Sequence, residues 1–311
     1  MIALVRQRPA LGDALLLQPV IANIPEPVTV VTDPDYAMGG LVDLFRSMRN
    51  VADVIPISPW DWTTEGNGKA DPQFIAPSRE PVPFQLRKYT ILDANSAFID
   101  YEREYRGNPP LGIREFWWQH FGNTGPAPLP EIVLHGEAMY KAALWVSERA
   151  RVAEQLRVGV VLRAGDPVRD WDKQGLARTF CDYLYTSGHN VFTIDPILQI
   201  GGGTIPVIGK RIMEVAAIIS RLDVLVTPDT GLLHLAQAVG TPTIAIWGIM
   251  PPELRLSGYN TTLTPHLGCC DWQDRDCTCW KFQRYSCLQR VRISHLVQTF
   301  EKWKANYDHQ N

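Results

Sequence analysis

The amino-acid sequence predicts an α/β protein of two domains, each with a parallel sheet flanked by helices. The 311 residues exceed one typical domain and leave each of two domains enough chain to bury a core. In the first half, short apolar runs alternate with helical stretches, and the alternation restarts near residue 158. Strand-helix alternation is typical of parallel strands joined by crossover helices. We therefore predict domains over residues 1–150 and 151–311.

In the first half of the chain, predicted strands alternate with predicted helices. A β-type run at 2–6 leads through a turn with Pro and Gly into an apolar helix from 14 to about 24. Further strands are predicted at 28–32, 51–57 and 89–93, with a helix over 37–49. The stretch 58–87 is rich in Pro, Gly, Trp and Asp without a clear period, which indicates an irregular insertion.

The second half repeats the pattern more clearly. Strands are predicted at 158–162, 191–195, 224–227 and 243–247. Helices are predicted at 173–187, 212–221 and 232–239. A terminal amphipathic helix over 294–307 has an apolar face that could return to the first domain.

Composition and charge exclude several classes of protein. Apolar residues make up 45% and charged residues 20%, as in ordinary globular proteins, and no run of about 18 apolar residues could span a bilayer. Charged residues interrupt the apolar run at the start, so it lacks the core of a secretory signal, which predicts a cytoplasmic protein. A net charge of −3 without long basic blocks disfavours a general nucleic-acid coat, although a local basic groove stays open.

The most informative passage packs a strand, a turn, a helix and a second strand into residues 223–248. Asp229 stands where it can cap the helix, and the backbone amides of Thr230, Gly231 and Leu232 lie at the helix N-terminus. These amides and the helix dipole attract anions, and Gly231 lets a phosphate approach the backbone. The passage predicts a diphosphate site at the carboxyl end of a parallel strand, with a capped, buried helix as the alternative.

Three segments of the chain resemble glycosyltransferase family 9, the heptosyltransferase family. The string D-T-G-x-x-H-x-A-x-A-x-G-x-P-x-x-x-x-W-G, which begins at Asp229, is similar to the family signature. The opening A-L-G-D-x5-P, which ends at Pro19, resembles the first-domain loop of the family. R-A-G from Arg163 and R-D-W from Arg169 resemble its second-domain opening, although the family commonly has Trp-Pro directly after the basic residue.

This resemblance implies the GT-B fold, in which two Rossmann-like domains face one another across a cleft. It also implies a nucleoside diphosphate sugar as donor, bound mainly by the C-terminal domain, with the N-terminal domain binding the acceptor. Inversion at the sugar carbon and the absence of a required catalytic metal are further implications of the resemblance.

The resemblance assigns the catalytic roles to Asp13 and Arg169. Asp13 is the candidate general base that takes the proton from the acceptor hydroxyl, and its alternative role is an N-cap of the first helix. Arg169 is the candidate for stabilising charge on the departing nucleoside diphosphate, and Arg163 is a second one. Surface salt bridges are the alternative for both arginines.

Two more residues are candidates for donor binding. Glu214 stands where the family tends to place an acceptor for the ribose hydroxyls, and a solvated glutamate favoured by the helix dipole is the alternative. His234 lies one turn into the predicted phosphate-binding helix, where it can reach the diphosphate or pack as a hydrogen-bonded side chain. Trp60, Trp62, Trp117 and Trp118 could form an aromatic wall for an acceptor, but core filling is favoured for most of them.

Five of the six cysteines fall between residues 269 and 287. Cys270, Cys277, Cys279 and Cys287 form a candidate structural Zn or Fe site, since four thiolates can close a tetrahedral site. The spacing lacks a paired C-x2-C knuckle, so free thiols or disulfides stay open as alternatives. A heptosyltransferase branch that modifies autotransporters has cysteine-bound iron in this region, which adds to the metal hypothesis by resemblance.

The sequence therefore predicts a glycosyltransferase that moves a sugar, with heptose as one candidate, from a nucleoside diphosphate sugar to a hydroxyl acceptor. The acceptor classes left open are an oligosaccharide, a lipid-linked sugar, a protein and a modified DNA base of the viral type. A DNA acceptor predicts a basic, aromatic-lined cleft and salt-sensitive binding. A catalytically silent nucleotide-binding scaffold on the same fold is the alternative from another class.

Overall fold

The computed structural model describes residues 1–6, 9–34, 40–57, 86, 88–95, 97, 101, 111–164, 169–172, 175–195, 199–248, 252, 255, 260–263, 288 and 290–309. The chain forms two compact units, Met1–Leu134 and His135–Asn311. Each unit holds one parallel sheet flanked by helices, which confirms the predicted fold class. No helix in these described ranges is long and apolar enough to cross a membrane.

The first unit is built on a four-stranded parallel sheet with the order β3-β2-β1-β4. The strands are β1 (Ile2–Val5), β2 (Val28–Thr32), β3 (Val51–Pro56) and β4 (Thr90–Asp93). The helices placed among the described residues are α1 (Leu11–Asn23), α2 (Gly40–Arg46) and α3 (Ile113–His120). Every residue of β2 is buried, as expected for a strand whose sheet is covered on both faces.

Helix α3 is the main difference from the sequence prediction in this unit. It was not predicted, because its short run of eight residues mixes apolar and charged side chains without a long helical period. Its apolar face packs towards α1, and Trp117 and Trp118 are 0% and 7% exposed. These two tryptophans fill the core of the unit, whereas Trp60 and Trp62 lie outside the described residues.

The second unit contains a six-stranded parallel sheet with the order β10-β9-β8-β5-β6-β7. Its strands are β5 (Arg157–Val161), β6 (Asn190–Ile194), β7 (Ile205–Val207), β8 (Val224–Pro228), β9 (Thr243–Ile246) and β10 (Asn260–Leu263). Strand β5 pairs with β6 on one side and with β8 on the other. The direction of winding therefore reverses between β5 and β8, which is where open α/β sheets form their ligand crevice.

The described residues of the second unit include the helices α4 (Gly136–Arg149), α5 (Leu176–Thr186), α6 (Ile212–Ile219), α7 (Gly231–Ala238) and α8 (Ile293–Asp308). Helix α8 packs against α5 and β10, and Phe300 and Trp303 join the core of this unit. The predicted return of this helix to the first domain stays a prediction.

The boundary between the units precedes the predicted position near residue 150 because α4 packs with the second unit. This helix lies against α6, where the Ser220 hydroxyl is 3.5 Å from the Met139 sulfur. At the C-terminal side of α4, the Asn190 side chain accepts the Arg151 N–H at 2.6 Å and donates to the Val152 carbonyl at 2.7 Å. These contacts tie the segment between α4 and β5 to the second sheet.

Candidate functional site

The carboxyl edge of the second sheet collects most of the predicted site residues. Arg163 and Arg169 follow β5, and Asp229 follows β8, directly before helix α7. Because β5 and β8 are hydrogen-bonded neighbours, the segments that leave them start at the same edge of the sheet. This edge is the candidate donor site.

Arg163 is held by a carboxylate that the sequence analysis did not single out. Its Nε and Nη2 donate to Oδ2 and Oδ1 of Asp195, at 2.8 and 2.9 Å. The Asp195 side chain is 2% exposed and the Arg163 side chain 39%, so a buried carboxylate anchors a guanidinium that reaches solvent. The hydrogen bond to Asp195 raises the pKa of Arg163 above its ordinary value, which keeps this side chain cationic.

Arg169 makes the corresponding contact on the other side of β5. Its Nη1 lies 3.6 Å from Oδ2 of Asp229, with 40% of the arginine side chain and 7% of the aspartate side chain exposed. Two residues further on, the Trp171 indole is buried and donates to the Val161 carbonyl of β5 at 3.0 Å. In the R-D-W sequence of this chain, Trp171 therefore anchors the segment to the sheet while Arg169 stays partly exposed.

Two carboxylates lie close to Arg169 in the sequence. Asp172 accepts the Ala177 N–H at 2.7 Å and so fixes the start of α5, and burial raises the pKa of its carboxyl group, with the Asp170 charge adding to the effect. Asp170 and Asp172 also act electrostatically on Arg163. The positive charges of Arg163 and Arg169 therefore lie in a locally acidic region.

Helix α7 begins at this edge with a compact turn. Thr230 is the N-cap residue and makes no side-chain capping hydrogen bond; its hydroxyl lies 3.3 Å from that of Thr227. The predicted cap by Asp229 is wrong, because Asp229 lies one residue too early and faces Arg169. The first turn of α7 contains no acidic side chain, so neither a cap nor a carboxylate there compensates the amides of Gly231 and Leu232.

The other end of α7 explains how the motif returns to the sheet. Gly240 has φ +79°, a left-handed conformation that glycine adopts without steric cost. The Thr241 N–H then donates to the Ala236 carbonyl at 2.9 Å, which closes the helix and leads into β9. His234 on this helix is only 3% exposed. Such burial is expected if His234 has its alternative role as a packed side chain.

Glu214 occupies the first turn of α6 and compensates that helix. Its Oε2 accepts the Arg211 N–H at 2.9 Å, and its Oε1 lies 3.8 Å from the Lys210 ammonium. The Glu214 side chain is 51% exposed. This exposure and its place in the first turn match the alternative role, a solvated glutamate favoured by the helix dipole. This capping uses one carboxylate oxygen and leaves Oε1 for a further donor.

Asp13 lies in the first unit, in the first turn of α1, and is 9% exposed. The alternative role of Asp13 as an N-cap is wrong, because Ala10 is the N-cap residue and the helix already starts at Leu11. Ala10 follows Pro9 and has the extended conformation typical of an N-cap, with φ −58° and ψ 154°. Asp13 therefore places a carboxylate inside the positive end of the helix rather than in front of it.

The cysteine cluster Cys270, Cys277, Cys279 and Cys287 lies outside the described residues. Within the part of the chain that the structure describes, no group of three or more His, Cys, Asp or Glu side chains is placed to hold a metal ion. The remaining cysteine, Cys181, is buried in the second core, and burial raises the pKa of its thiol.

Asp195 is the site residue that the sequence reasoning missed. The sequence does carry a signal for it, because Asp195 directly follows the Thr-Ile that ends β6, much as Asp229 follows the Thr-Pro that ends β8. An acidic residue after the second strand is a known feature of Rossmann-type sheets. Only the pairing of β5 with β6 shows that Asp195 meets Arg163.

Comparisons with known proteins bear on the family and the fold of this chain. Residues 205–278 match the model of glycosyltransferase family 9 (heptosyltransferase), which confirms the predicted resemblance. None of the curated proteins matches the sequence.

Solved structures confirm the GT-B fold along nearly the whole chain. A family 9 glycosyltransferase from Veillonella parvula has 15% identity and a TM-score of 0.71, with 97% of this chain and 96% of that chain covered. The ADP-heptose LPS heptosyltransferase II of E. coli has 14% identity and a TM-score of 0.65, with 99% and 100% covered. The iron-containing dodecameric glycosyltransferase TibC of enterotoxigenic E. coli has 13% identity and a TM-score of 0.63, with 98% and 77% covered.

Proposed function

We propose that this chain, which carries a family 9 glycosyltransferase segment on a GT-B fold, transfers a sugar from a nucleoside diphosphate donor to a hydroxyl acceptor. The observation that carries the proposal is the N-terminus of α7, which has no acidic residue in its first turn and stands at the sheet edge beside two arginines. Helix amides and guanidinium groups are the donors that diphosphates prefer in proteins.

In this proposal the second unit binds the donor. The amides of Thr230, Gly231 and Leu232 hold the diphosphate, and His234 supports the same helix turn. Arg169 exchanges its contact with Asp229 for the phosphate oxygens and stabilises the charge that develops as the diphosphate leaves. The 3.6 Å separation of Arg169 and Asp229 exceeds a normal hydrogen bond, so this exchange gives up a weak interaction.

The proposed chemistry is a displacement at the anomeric carbon. Asp13 takes the proton of the acceptor hydroxyl while its oxygen attacks the anomeric carbon. The bond between that carbon and the phosphate oxygen breaks, and the nucleoside diphosphate leaves with the bonding electrons. Attack opposite to the leaving group inverts the configuration, and no metal takes part in this step.

An ADP-activated sugar is the first donor to test, because the E. coli relative uses ADP-heptose by its description. Glu214 supports this class of donor, since its exposed carboxylate can accept the hydroxyl protons of a ribose. The first unit binds the acceptor, whose identity the proposal leaves to experiment.

The cysteine cluster is proposed as a structural metal site. Cys270, Cys277, Cys279 and Cys287 supply four thiolates, a ligand set that suits Zn or Fe. The iron in TibC supports iron as the first metal to assay. The proposed function assigns this metal no part in the sugar transfer.

Thermal unfolding with a panel of nucleotides tests the donor site directly. The purified protein is heated with UDP, ADP, GDP or CMP, and the unfolding temperature is compared with that of the unliganded protein. We expect one diphosphate to stabilise the protein, because a ligand that binds only the folded state shifts the unfolding equilibrium.

The corresponding nucleotide sugars then test turnover by release of free nucleoside diphosphate in the presence of candidate acceptors. Stabilisation without turnover of any sugar donor would support the silent scaffold instead. Absence of stabilisation by every nucleotide would contradict the donor site itself.

A further inference from the structure

The contact between Arg163 and Asp195 has a specific geometry. Asp195 binds the side of the guanidinium that carries Nε and Nη2, at 2.8 and 2.9 Å. Nη1 lies at the opposite corner of the planar group, and among the described residues no acceptor forms a hydrogen bond to it. Asp195 therefore occupies one side of the Arg163 guanidinium, and within the described residues the Nη1 side forms no hydrogen bond.

The position of this pair relates it to the donor site. Arg163 leaves β5 two residues after Val161, and Asp195 follows Ile194 at the end of β6. Strand β5 lies between β6 and β8, so Arg163 belongs to the same sheet edge as the start of α7. A cation at this edge is within the region that the proposed diphosphate would occupy.

We infer that Asp195 is a positioning residue that fixes Arg163 with its Nη1 open to the phosphates of the donor. This inference rests on the proposed function and deepens it. An exposed arginine without Asp195 would lose side-chain freedom on binding, and it would be drawn to the nearby Asp170 and Asp172. The buried carboxylate orders the arginine before the ligand arrives.

A different role for Asp195 would give different results. In dinucleotide-binding sheets an acidic residue after the second strand accepts a ribose hydroxyl. In this chain both oxygens of Asp195 already accept hydrogen bonds from Arg163. A ribose role would appear with the nucleoside alone, whereas a role through Arg163 requires the phosphates.

The test is a double-mutant cycle read by calorimetric titration. The wild-type protein, Asp195→Asn, Arg163→Ala and the double variant are titrated with ADP and with adenosine. We expect Asp195→Asn to weaken ADP binding about fivefold in the presence of Arg163, the size expected from ordering one long side chain on binding. The same substitution should not weaken ADP binding in the Arg163→Ala background, where it removes a negative charge near the phosphates. Adenosine binding should stay unchanged in both backgrounds.

Two further variants keep the test decisive if Asp195→Asn folds poorly. Arg163→Lys keeps the charge but cannot form the two-point contact, and Asp195→Glu keeps the carboxylate but displaces it. Both should weaken ADP binding without weakening adenosine binding, at an unfolding temperature close to that of the wild type.

The possible outcomes separate this inference from the proposed function. An equal loss in both backgrounds, an equal loss with adenosine, or no loss in any Asp195 variant overturns the positioning role while leaving a nucleotide-binding protein. If the wild type binds no nucleoside diphosphate, the proposed function fails, and the inference fails with it.

Discussion

The two helix starts that carry the candidate chemistry differ in where their carboxylate lies. Helix α1 of the first unit has Asp13 inside its first turn, whereas α7 of the second unit has no acidic residue there. Asp229 lies before α7 and faces Arg169. The positive end of α1 is thus compensated by its own side chain, while that of α7 is left for an external anion. The two helix starts therefore suit the two different roles proposed for them, a general base at α1 and a phosphate site at α7.

The largest effect is expected from removing the carboxylate of α1. Asp13→Asn should lower turnover by about 100-fold or more, because proton transfer by a positioned side chain contributes a factor of this size. Binding of ADP, measured by calorimetry, should stay the same, since the proposed donor site belongs to the other unit.

Asp43 offers a matched control for this variant. It lies in the first turn of α2, also in the first unit, so Asp43→Asn removes an equivalent helix-start charge. Both substitutions should cost about 0.3–1 kcal/mol of unfolding free energy through the helix dipole, but only Asp13→Asn should affect turnover. Equal turnover in the two variants would mean that Asp13 is not the general base.

A carboxylate introduced into the first turn of α7 would make this helix start resemble that of α1. Leu232 is partly exposed in the first turn of α7, so Leu232→Asp places a carboxylate where a phosphate is proposed to bind. We expect ADP affinity to fall about tenfold, because like charges then compete for the same helix amides. The free energy of unfolding should rise by about 0.3–1 kcal/mol, since an acidic side chain suits a helix start.

Opposite changes in affinity and stability are the signature of this variant. Leu232→Asn is the matched control, because it has a similar shape without the charge and should retain most of the ADP affinity. A loss of affinity as large in Leu232→Asn as in Leu232→Asp would indicate a packing effect and remove the argument from the helix dipole.

The third prediction concerns Arg169, which links the α7 region to β5. Arg169→Gln should lower ADP affinity about fivefold and reduce its dependence on salt, because one charge-assisted contact to phosphate is lost. Arg149→Gln is the matched control, since Arg149 is similarly exposed at the end of α4. Equal affinities in the two variants would mean that Arg169 does not bind the phosphates.

The difference between the two helix starts was only partly predictable from the sequence. The strands β1, β2, β5, β6, β8 and β9 could be predicted because each is an apolar run between turn residues. The strand, helix and strand of the α7 motif could be predicted because they follow one another within a short, regular stretch. The place of Asp13 inside α1 could not, since it depends on the extended conformation of Ala10.

Contacts between segments that are distant in the sequence also could not be predicted. The pair Arg163–Asp195 joins residues that follow two different strands, so it depends on the order of the strands in the sheet. Strand β7 has only three residues, and β10 is largely polar, so neither has the apolar run that identifies a strand.

The smallest effect is expected at α6, which provides a third helix start for the comparison. Like α1, it carries its own first-turn acid, Glu214, so its amides should not hold phosphate. Glu214→Gln should lower ADP affinity about threefold through the ribose hydroxyls, the loss expected when a hydrogen bond to a charged acceptor becomes neutral. Pyrophosphate has no ribose, and its affinity, measured by the same titration, should not change. Equal losses for ADP and pyrophosphate would mean that α6 acts on the phosphates, and the rule that separates compensated from open helix starts would then fail in this protein.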